Sequence, residues 1–202
     1  MEDESIMKKK LVKAGEFIES LKKNPEYNKM KEKQNQEMLK KEALLEAECL
    51  TFVNDCSRFG YIIKTTWDLM GKKHLEPELV SIMIKYLRES KYSEKFREGI
   101  ARSLTVPESE PYFNDIFELF TREKNEGSPI RWSIALALSY TAKKENELNI
   151  IESLIFDKKV GVDRSALLGA IKRMKGDQRE RTLVFTREDP QLKINLHIYR
   201  LK

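Results

Sequence analysis

Basic residues recur along the chain at nearly constant spacing. Arg97, Arg131, Arg164 and Lys193 are separated by 34, 33 and 29 residues, and an aliphatic residue follows each of them three positions later. A row of cations at such intervals could track the phosphates of a nucleic acid. Arg97, Arg131 and Arg164 could instead form a structural ladder, in which each arginine bonds backbone carbonyls or an acid of the following repeat. We favour the structural ladder.

Groupings typical of catalysis or metal binding are not recognisable in the sequence. His74 and His197 lie far apart and have no cysteine or carboxylate at metal-ligand spacing. No glycine-rich phosphate loop or nucleophile elbow is present, and Gly161-Val162-Asp163 predicts a turn before a helix. Cys49 and Cys56 are seven residues apart and predict two buried thiols rather than a disulfide framework. We therefore predict a protein that is not an enzyme and holds no metal or cofactor.

The elements that must position the bases are amphipathic helices. In the first three copies, aliphatic residues follow the base by three and by seven positions, a spacing that places both on one helix face. These pairs are Ile100 and Leu104, Ile134 and Leu138, and Leu167 and Ile171. Intervals of this length are close to the period of a two-helix solenoid repeat.

Composition supports an all-α protein. Charged residues make up 35% of the chain, and its 202 residues include only 8 glycines and 6 prolines.

No apolar run approaches the roughly 20 residues that cross a bilayer. The acidic start, Met1-Glu2-Asp3-Glu4, is not followed by the apolar core of a signal peptide. We therefore expect a cytoplasmic protein that does not enter a membrane.

Two regions are predicted, an N-terminal helical extension over residues 1–59 and a repeat domain over residues 60–202. In the extension, a helix over residues 4–23 ends at Asn24-Pro25, and a long helix follows over residues 26–58. A stripe at intervals of seven in the long helix is either a coiled-coil seam or, as we favour, a face packed on the first repeat. The residues of this stripe are Met38, Leu45, Phe52 and Phe59.

The repeat domain is predicted to contain four helix pairs. Before them, Thr65 or Thr66 caps a brief helix at Trp67, and this aromatic either pins the long helix to the first repeat or marks a site. The predicted pairs are Pro77–Glu89 with Lys95–Val106, Pro111–Lys124 with the helix that begins at Pro129, Glu145–Phe156 with Asp163–Lys175, and Asp177–Arg187 with Pro190–Leu201. We call the first helix of each pair A and the second B. The last pair is more polar, as expected for a terminal cap.

The repeats resemble those of the HEAT-repeat superfamily of α-solenoids. The segments Thr66-Trp67-Asp68-Leu69 and Arg97-Glu98-Gly99-Ile100-Ala101-Arg102-Ser103-Leu104, together with the helix around Arg131, are similar to small bacterial HEAT-like proteins that are described mainly by their repeats. The resemblance covers roughly residues 60–202. It implies a right-handed α-solenoid with a concave surface lined by B helices, and protein partners. The last repeat departs from the pattern at His197 and Arg200.

Helix geometry selects the side chains on the face opposite the predicted core. At about 100° per residue, this face holds the first, fifth, eighth and ninth positions after each base. These positions are Glu98, Arg102, Thr105 and Val106; Trp132, Leu136, Ser139 and Tyr140; and Ser165, Gly169, Lys172 and Arg173. From them we predict a partner-binding patch, because Trp, Tyr and Arg are enriched at binding hot spots. The patch comprises Arg102, Trp132, Leu136, Tyr140, Lys172 and Arg173. Alternatively, other parts of the chain cover Trp132 and Leu136.

These observations predict a protein-interaction module that grips a protein partner, as an immunity-type inhibitor or as an adaptor. The alternative is nucleic-acid binding through residues 140–202, which hold 14 Lys and Arg against 9 Asp and Glu. Some HEAT-like proteins are DNA glycosylases that use a concave carboxylate, and only Glu98 is placed for that role here. A homo-oligomer formed through residues 4–58 is a further alternative.

Overall fold

The computed structural model describes residues 14–200, and within this range every regular element is helical. No β-strand occurs there, and none of its helices is long and apolar enough to cross a membrane. The prediction of an all-α chain is confirmed for these residues. The α-helices are α1 (Ala14–Lys22), α2 (Pro25–Ser57), α3 (Pro77–Arg88), α4 (Glu94–Ser103), α5 (Phe113–Arg122), α6 (Pro129–Thr141), α7 (Glu145–Phe156), α8 (Arg164–Leu167), α9 (Gly176–Glu188) and α10 (Pro190–Lys193). The 3₁₀ helices are Thr66–Leu69, Pro107–Tyr112, Lys158–Asp163 and Leu168–Arg173.

The chain divides into two compact units, Met1–Leu44 and Leu45–Lys202. Within the first unit, Asn24 lies between α1 and α2, and its side-chain oxygen accepts hydrogen bonds from the amides of Glu26 and Tyr27 at 2.9 and 3.2 Å. Pro25 at the first helical position needs no donor there, as the sequence predicted. The predicted helix over residues 4–23 is seen only as α1, since residues 1–13 lie outside the described residues.

The second unit includes the last turns of α2, which the sequence analysis placed in the extension over residues 1–59. The reason is burial, because Cys49, Phe52 and Cys56 belong to the core that α3 and α4 complete. The ring of Phe52 packs edge-on against Tyr86 of α3 at a centroid distance of 5.2 Å, and the Tyr86 hydroxyl donates to Asp55 at 2.8 Å. The stripe at intervals of seven therefore packs within this unit over its last part.

Helices in the second unit pack in pairs and also against the preceding pair. Within pairs, α3 packs on α4, α5 on α6, α7 on α8, and α9 on α10. Between pairs, α4 packs on α6, α6 on α8, α3 on α5, and α7 on α9. Pro107–Tyr112 forms a 3₁₀ turn before α5, so the second A helix starts at Phe113 rather than at the predicted Pro111.

The third B helix differs from the single helix predicted over Asp163–Lys175. It begins with the 3₁₀ helix Lys158–Asp163, continues as α8 and tightens again into the 3₁₀ helix Leu168–Arg173. At the start, Gly161 adopts φ = 70°, which a glycine tolerates and which breaks the helical path. At the end of α8, the Ser139 hydroxyl of α6 donates to the Leu167 carbonyl at 3.2 Å. In a continuous α-helix this carbonyl would accept a backbone hydrogen bond from the amide four residues later.

The fourth B helix is shorter than predicted. α10 covers only Pro190–Lys193, and turns follow as far as Arg200. The amides of Asn195 and Ile198 donate to carbonyls three residues earlier, at 2.9 and 3.1 Å, so the backbone closes tight turns instead of α-helical ones. The predicted end at Leu201 lies outside the described residues.

Candidate functional site

Serine caps fix the start of the two helices that carry most of the predicted patch. The Ser93 hydroxyl accepts from the Phe96 amide at the start of α4, and the Ser128 hydroxyl accepts from the Arg131 amide at the start of α6, both at 3.2 Å. Such caps satisfy amides that have no partner within the helix. As a result, Arg97 and Arg131 both lie in the first turn of a B helix.

Arg97 joins its own pair to the next one. Its Nε donates to the Leu87 carbonyl near the end of α3 at 3.2 Å, and its Nη2 lies 3.4 Å from a Glu123 carboxylate oxygen just beyond α5. Both side chains of this ion pair are 18% exposed. The contacts are those of a ladder rung, to a backbone carbonyl and to an acid of the following pair.

Arg131 forms a more buried version of this contact. Its guanidinium pairs with Asp163, whose side chain is fully buried, and donates to the Val160 carbonyl at 3.2 Å. The guanidinium also lies 4.7 Å from the centre of the Phe120 ring. Burial raises the pKa of Asp163, although hydrogen bonds from Gly127 and Arg131 act in the opposite direction. The Arg131 Nε and the second Asp163 oxygen have no partner among the described residues.

Arg164 is the most enclosed of the three arginines, with only 3% of its side chain exposed. Its Nη1 donates to the Ile155 carbonyl at the end of α7 at 3.3 Å and to Asp189 before α10 at 2.7 Å. Its Nε donates to the Gly161 carbonyl at 3.1 Å. Burial acts to raise the pKa of Asp189, but the guanidinium and two backbone amides outweigh it and hold the pKa below its usual value.

A row of cations and aromatic rings runs from the 3₁₀ helix Thr66–Leu69 across α4 to α6. The Lys95 ammonium lies 3.6 Å from the centre of the Trp67 ring. The Arg102 guanidinium lies 5.6 Å from the Trp67 ring and 5.4 Å from the Trp132 ring, within the range of cation–π attraction. We call these four residues, together with Leu136 and Tyr140, the aromatic-basic row.

Hydrogen bonds fix both tryptophans in this row. The Trp67 indole N–H donates to the Lys95 carbonyl at 3.1 Å, and the Trp132 indole N–H lies 3.4 Å from the Ser165 hydroxyl. Trp67 thereby links the 3₁₀ helix Thr66–Leu69 to the first turn of α4, and Trp132 links α6 to α8. Both rings remain part-buried.

Gly99 allows the 3₁₀ helix to approach α4. A Cβ atom at this position would lie 2.1 Å from the Thr66 Oγ1, much closer than non-bonded contacts of a Cβ atom allow. The Thr66 hydroxyl uses the space and donates to the Phe96 carbonyl at 3.1 Å. A glycine inside a helix costs about 1 kcal/mol relative to alanine, and the close approach that places Trp67 beside Arg102 explains its presence.

Further along α6, the row continues with Leu136 and Tyr140, both part-buried. Trp132, Leu136 and Tyr140 are spaced by four residues, which places them on one face of the helix. The Lys143 ammonium lies 5.1 Å from the centre of the Tyr140 ring and pairs with Glu110 at 3.2 Å. The predicted patch residues of α4 and α6 are thus part-buried, neither fully exposed nor fully covered.

The last two patch residues differ from each other. Lys172 is exposed. Arg173 donates from Nε to the Ala142 carbonyl at 2.9 Å and from Nη2 to the Ser139 carbonyl, so its guanidinium closes the end of α6. It also lines a cavity of ≈ 500 Å³ between α7 and α9, where Lys143 and Arg181 are already paired with acids.

Three residues predicted on the same helix face are buried instead. Val106 and Ser139 are 1% and 2% exposed, and Glu98 is 6% exposed. Successive B helices pack against each other, α4 on α6 and α6 on α8, and the Ser139 hydroxyl donates to the Leu167 carbonyl at 3.2 Å. The Glu98 carboxylate accepts from the Arg102 Nε at 3.0 Å and lies 3.6 Å from the Lys95 ammonium. This pairing engages the carboxylate that was the sequence's only candidate for a glycosylase role.

The predicted patch did not include Lys95 or Trp67, although the sequence analysis named Trp67 as either a packing residue or the mark of a site. Tertiary packing brings both residues beside Arg102. Gly99, in the middle of a predicted helix, was the available signal for the approach of Trp67.

Within residues 14–200, no three His, Cys, Asp or Glu side chains are grouped to hold a metal ion. Cys49 and Cys56 are buried, and burial raises the pKa of both thiols.

Comparisons with protein-family models, with curated proteins and with solved structures find no match to this chain.

Proposed function

We propose that this chain is a non-catalytic protein-interaction module that binds a protein partner along the aromatic-basic row. The observation that carries the proposal is the arrangement of Trp67, Arg102 and Trp132, where one guanidinium lies over two indole rings. Tryptophan, tyrosine and arginine are the residues that most often dominate binding energy at protein interfaces. Here Trp67, Trp132 and Arg102 are positioned by hydrogen bonds before any partner arrives, which lowers the entropy lost on binding.

The helix pairs are proposed to stack as a HEAT-like α-solenoid, with the B helices lining its concave side. The packing of α4 on α6 and α6 on α8 supports this arrangement, as does the recurrence of the arginine contacts. In it, Arg97, Arg131 and Arg164 hold successive pairs together, and the aromatic-basic row faces the partner. An immunity-type inhibitor and an adaptor in a larger assembly are both compatible with this function.

A paired substitution tests the proposal. Replacing Trp132 and Tyr140 by alanine should weaken partner capture by about 2 kcal/mol each if both are hot spots. Capture from native lysate, quantified by mass spectrometry, compares this variant with the wild type. Thr121→Ala with Arg122→Ala on the exposed side of α5 is the matched control. Equal capture by all three proteins, with circular dichroism showing intact helices, would reject the proposal.

Nucleic-acid binding by residues 140–202 is the alternative that the charge excess of this segment suggests. Several of its bases are engaged within the fold, since Arg164 pairs with Asp189, Arg181 with Glu152, and Lys143 with Glu110. A salt titration separates the two functions, because phosphate-driven affinity falls steeply with salt. The alternative requires retention of DNA or RNA at about 50 mM salt and its loss at about 200 mM.

A further inference from the structure

Arg102 occupies a special position in the aromatic-basic row, because it touches both tryptophans of the protein. The chain contains two tryptophans, Trp67 and Trp132, and the guanidinium lies within 5.6 Å of both ring centres. The planar group is therefore held in place by aromatic rings from two different elements. An arginine fixed in this way loses little entropy when it binds a ligand.

Within residues 14–200, this guanidinium forms a hydrogen bond through its Nε alone. Its Nε donates to Glu98 at 3.0 Å, and neither terminal nitrogen has a hydrogen-bond acceptor among the described residues. The Arg102 side chain is 30% exposed and that of Glu98 is 8% exposed, so the carboxylate binds the guanidinium on its buried side. The two terminal nitrogens present parallel N–H donors, the geometry that binds a carboxylate or a phosphate in a bidentate manner.

The charges around Arg102 leave an excess of positive charge. Glu98 is shared by Lys95 and Arg102, at 3.6 and 3.0 Å, so one carboxylate serves two cations. Further along the surface, Glu110 is engaged by Lys143. The surface therefore favours a partner that supplies carboxylates of its own.

We propose that the open edge of Arg102 binds a Glu or Asp carboxylate on an acidic, amphipathic helix of the partner protein. The apolar side of that helix would lie on Trp132, Leu136 and Tyr140, which form a row about 12 Å long at 1.5 Å per residue. This mode of binding, an amphipathic helix in an apolar groove, recurs in peptide recognition. The inference rests on the proposed function and specifies the chemistry of the partner.

A protein helix fits this surface better than a single-stranded nucleic acid does. Proteins that bind single strands stack bases on free aromatic faces, but the Trp67 ring is already covered by Lys95 at 3.6 Å and approached by Arg102. A stacked base would have to displace these cations.

Intrinsic tryptophan fluorescence provides the test, because both fluorophores contact Arg102 and no label is needed. The full chain is titrated with a designed peptide of about 20 residues, long enough for several helical turns. It carries leucines along one face and glutamates beside them, and a twin peptide carries glutamine in place of each glutamate. We expect the glutamate peptide to change the emission and to bind roughly tenfold or more tightly than its twin.

Variants at position 102 locate this preference. Arg102→Gln should reduce the preference for the glutamate peptide by roughly tenfold, and Arg102→Lys should lose most of it, since lysine keeps the charge but lacks the planar fork. Arg122→Gln, which removes an arginine with 65% side-chain exposure on α5, should leave the preference unchanged. Circular dichroism establishes that each variant remains folded.

The outcomes separate this inference from the proposed function. Equal binding of the two peptides, or a preference that survives Arg102→Gln, overturns carboxylate recognition but leaves a protein-binding row that Trp132→Ala with Tyr140→Ala still tests. Peptide binding that survives this double substitution overturns both. Tighter binding of a single-stranded oligothymidylate than of the glutamate peptide also overturns the inference, in favour of a nucleic-acid partner.

Discussion

Replacement of Arg164 by methionine tests the energetic role of the arginine ladder. Arg164 and Asp189 are 3% and 5% exposed at their side chains and lie 2.7 Å apart. Methionine fills much of the space but leaves the Asp189 carboxylate buried without its cation. Removing one partner of a buried ion pair costs about 3–5 kcal/mol. For a chain of this size, each kcal/mol lowers Tm by about 2–4 °C, so Tm should fall by roughly 6–20 °C.

Two matched variants make this prediction specific. Arg97→Met removes the same side chain from a pair that is 18% exposed on both sides, and we expect a cost of about 1–2 kcal/mol. Arg164→Met with Asp189→Asn removes both charges, while asparagine still caps α10. This double variant should recover about 2 kcal/mol relative to Arg164→Met. Urea unfolding followed by circular dichroism measures all three, and equal costs at Arg97 and Arg164, or no recovery in the double variant, would refute the reasoning.

Further predictions concern packing, pH and thiol reactivity. Gly99→Ala should destabilise the fold by about 1–3 kcal/mol because the new Cβ overlaps the Thr66 hydroxyl. Adding Thr66→Ala to the same chain should relieve part of that cost, as measured by urea unfolding. If the destabilisation of the double variant equals the sum of the two single variants, the overlap is contradicted. The Asp189 pKa is lowered in the fold, so the stabilisation from its carboxylate is complete above the unfolded-state pKa of about 3.9 and is lost as the pH falls through the folded-state pKa. The free energy of unfolding of Asp189→Asn should therefore fall less between about pH 5 and pH 2 than that of the wild type. Parallel curves of unfolding free energy against pH for the two proteins would be the contrary result. Burial raises the pKa of Cys49, and that of Cys56 to about 12, so a chromogenic disulfide reagent at about pH 8 should modify both thiols only as the chain unfolds, whereas fast modification in native buffer would be inconsistent with their burial.

Local sequence signals predicted many helix boundaries in this protein. Ser128 and Pro129 begin α6, Asn24 and Pro25 separate α1 from α2, and Thr65 caps the short helix at Trp67, as expected from capping and proline chemistry. These signals act over a few residues, so they can be read without knowledge of tertiary contacts. The predicted bounds of α7, Glu145–Phe156, agree with the structure for the same reason.

Tertiary contacts account for what local patterns could not predict. The third B helix tightens into a 3₁₀ helix after Leu167, where the Ser139 hydroxyl of α6 donates to the Leu167 carbonyl, a contact between residues 28 positions apart. Helix geometry placed Glu98 on the open face, but its side chain is buried and pairs with Arg102 and Lys95. Likewise, the sequence indicated that Arg131 would bond an acid but could not identify Asp163 as that acid.

The position of a partner on the protein is the central question, and site-specific photo-crosslinking measures it most directly. A photoreactive phenylalanine analogue replaces Tyr140 in the aromatic-basic row or, as a control, Thr121 on the exposed side of α5. After illumination in native lysate, we predict that a partner is crosslinked from position 140 and not from position 121. Crosslinks of equal yield at both positions, or only at position 121, would contradict the assignment of the binding surface.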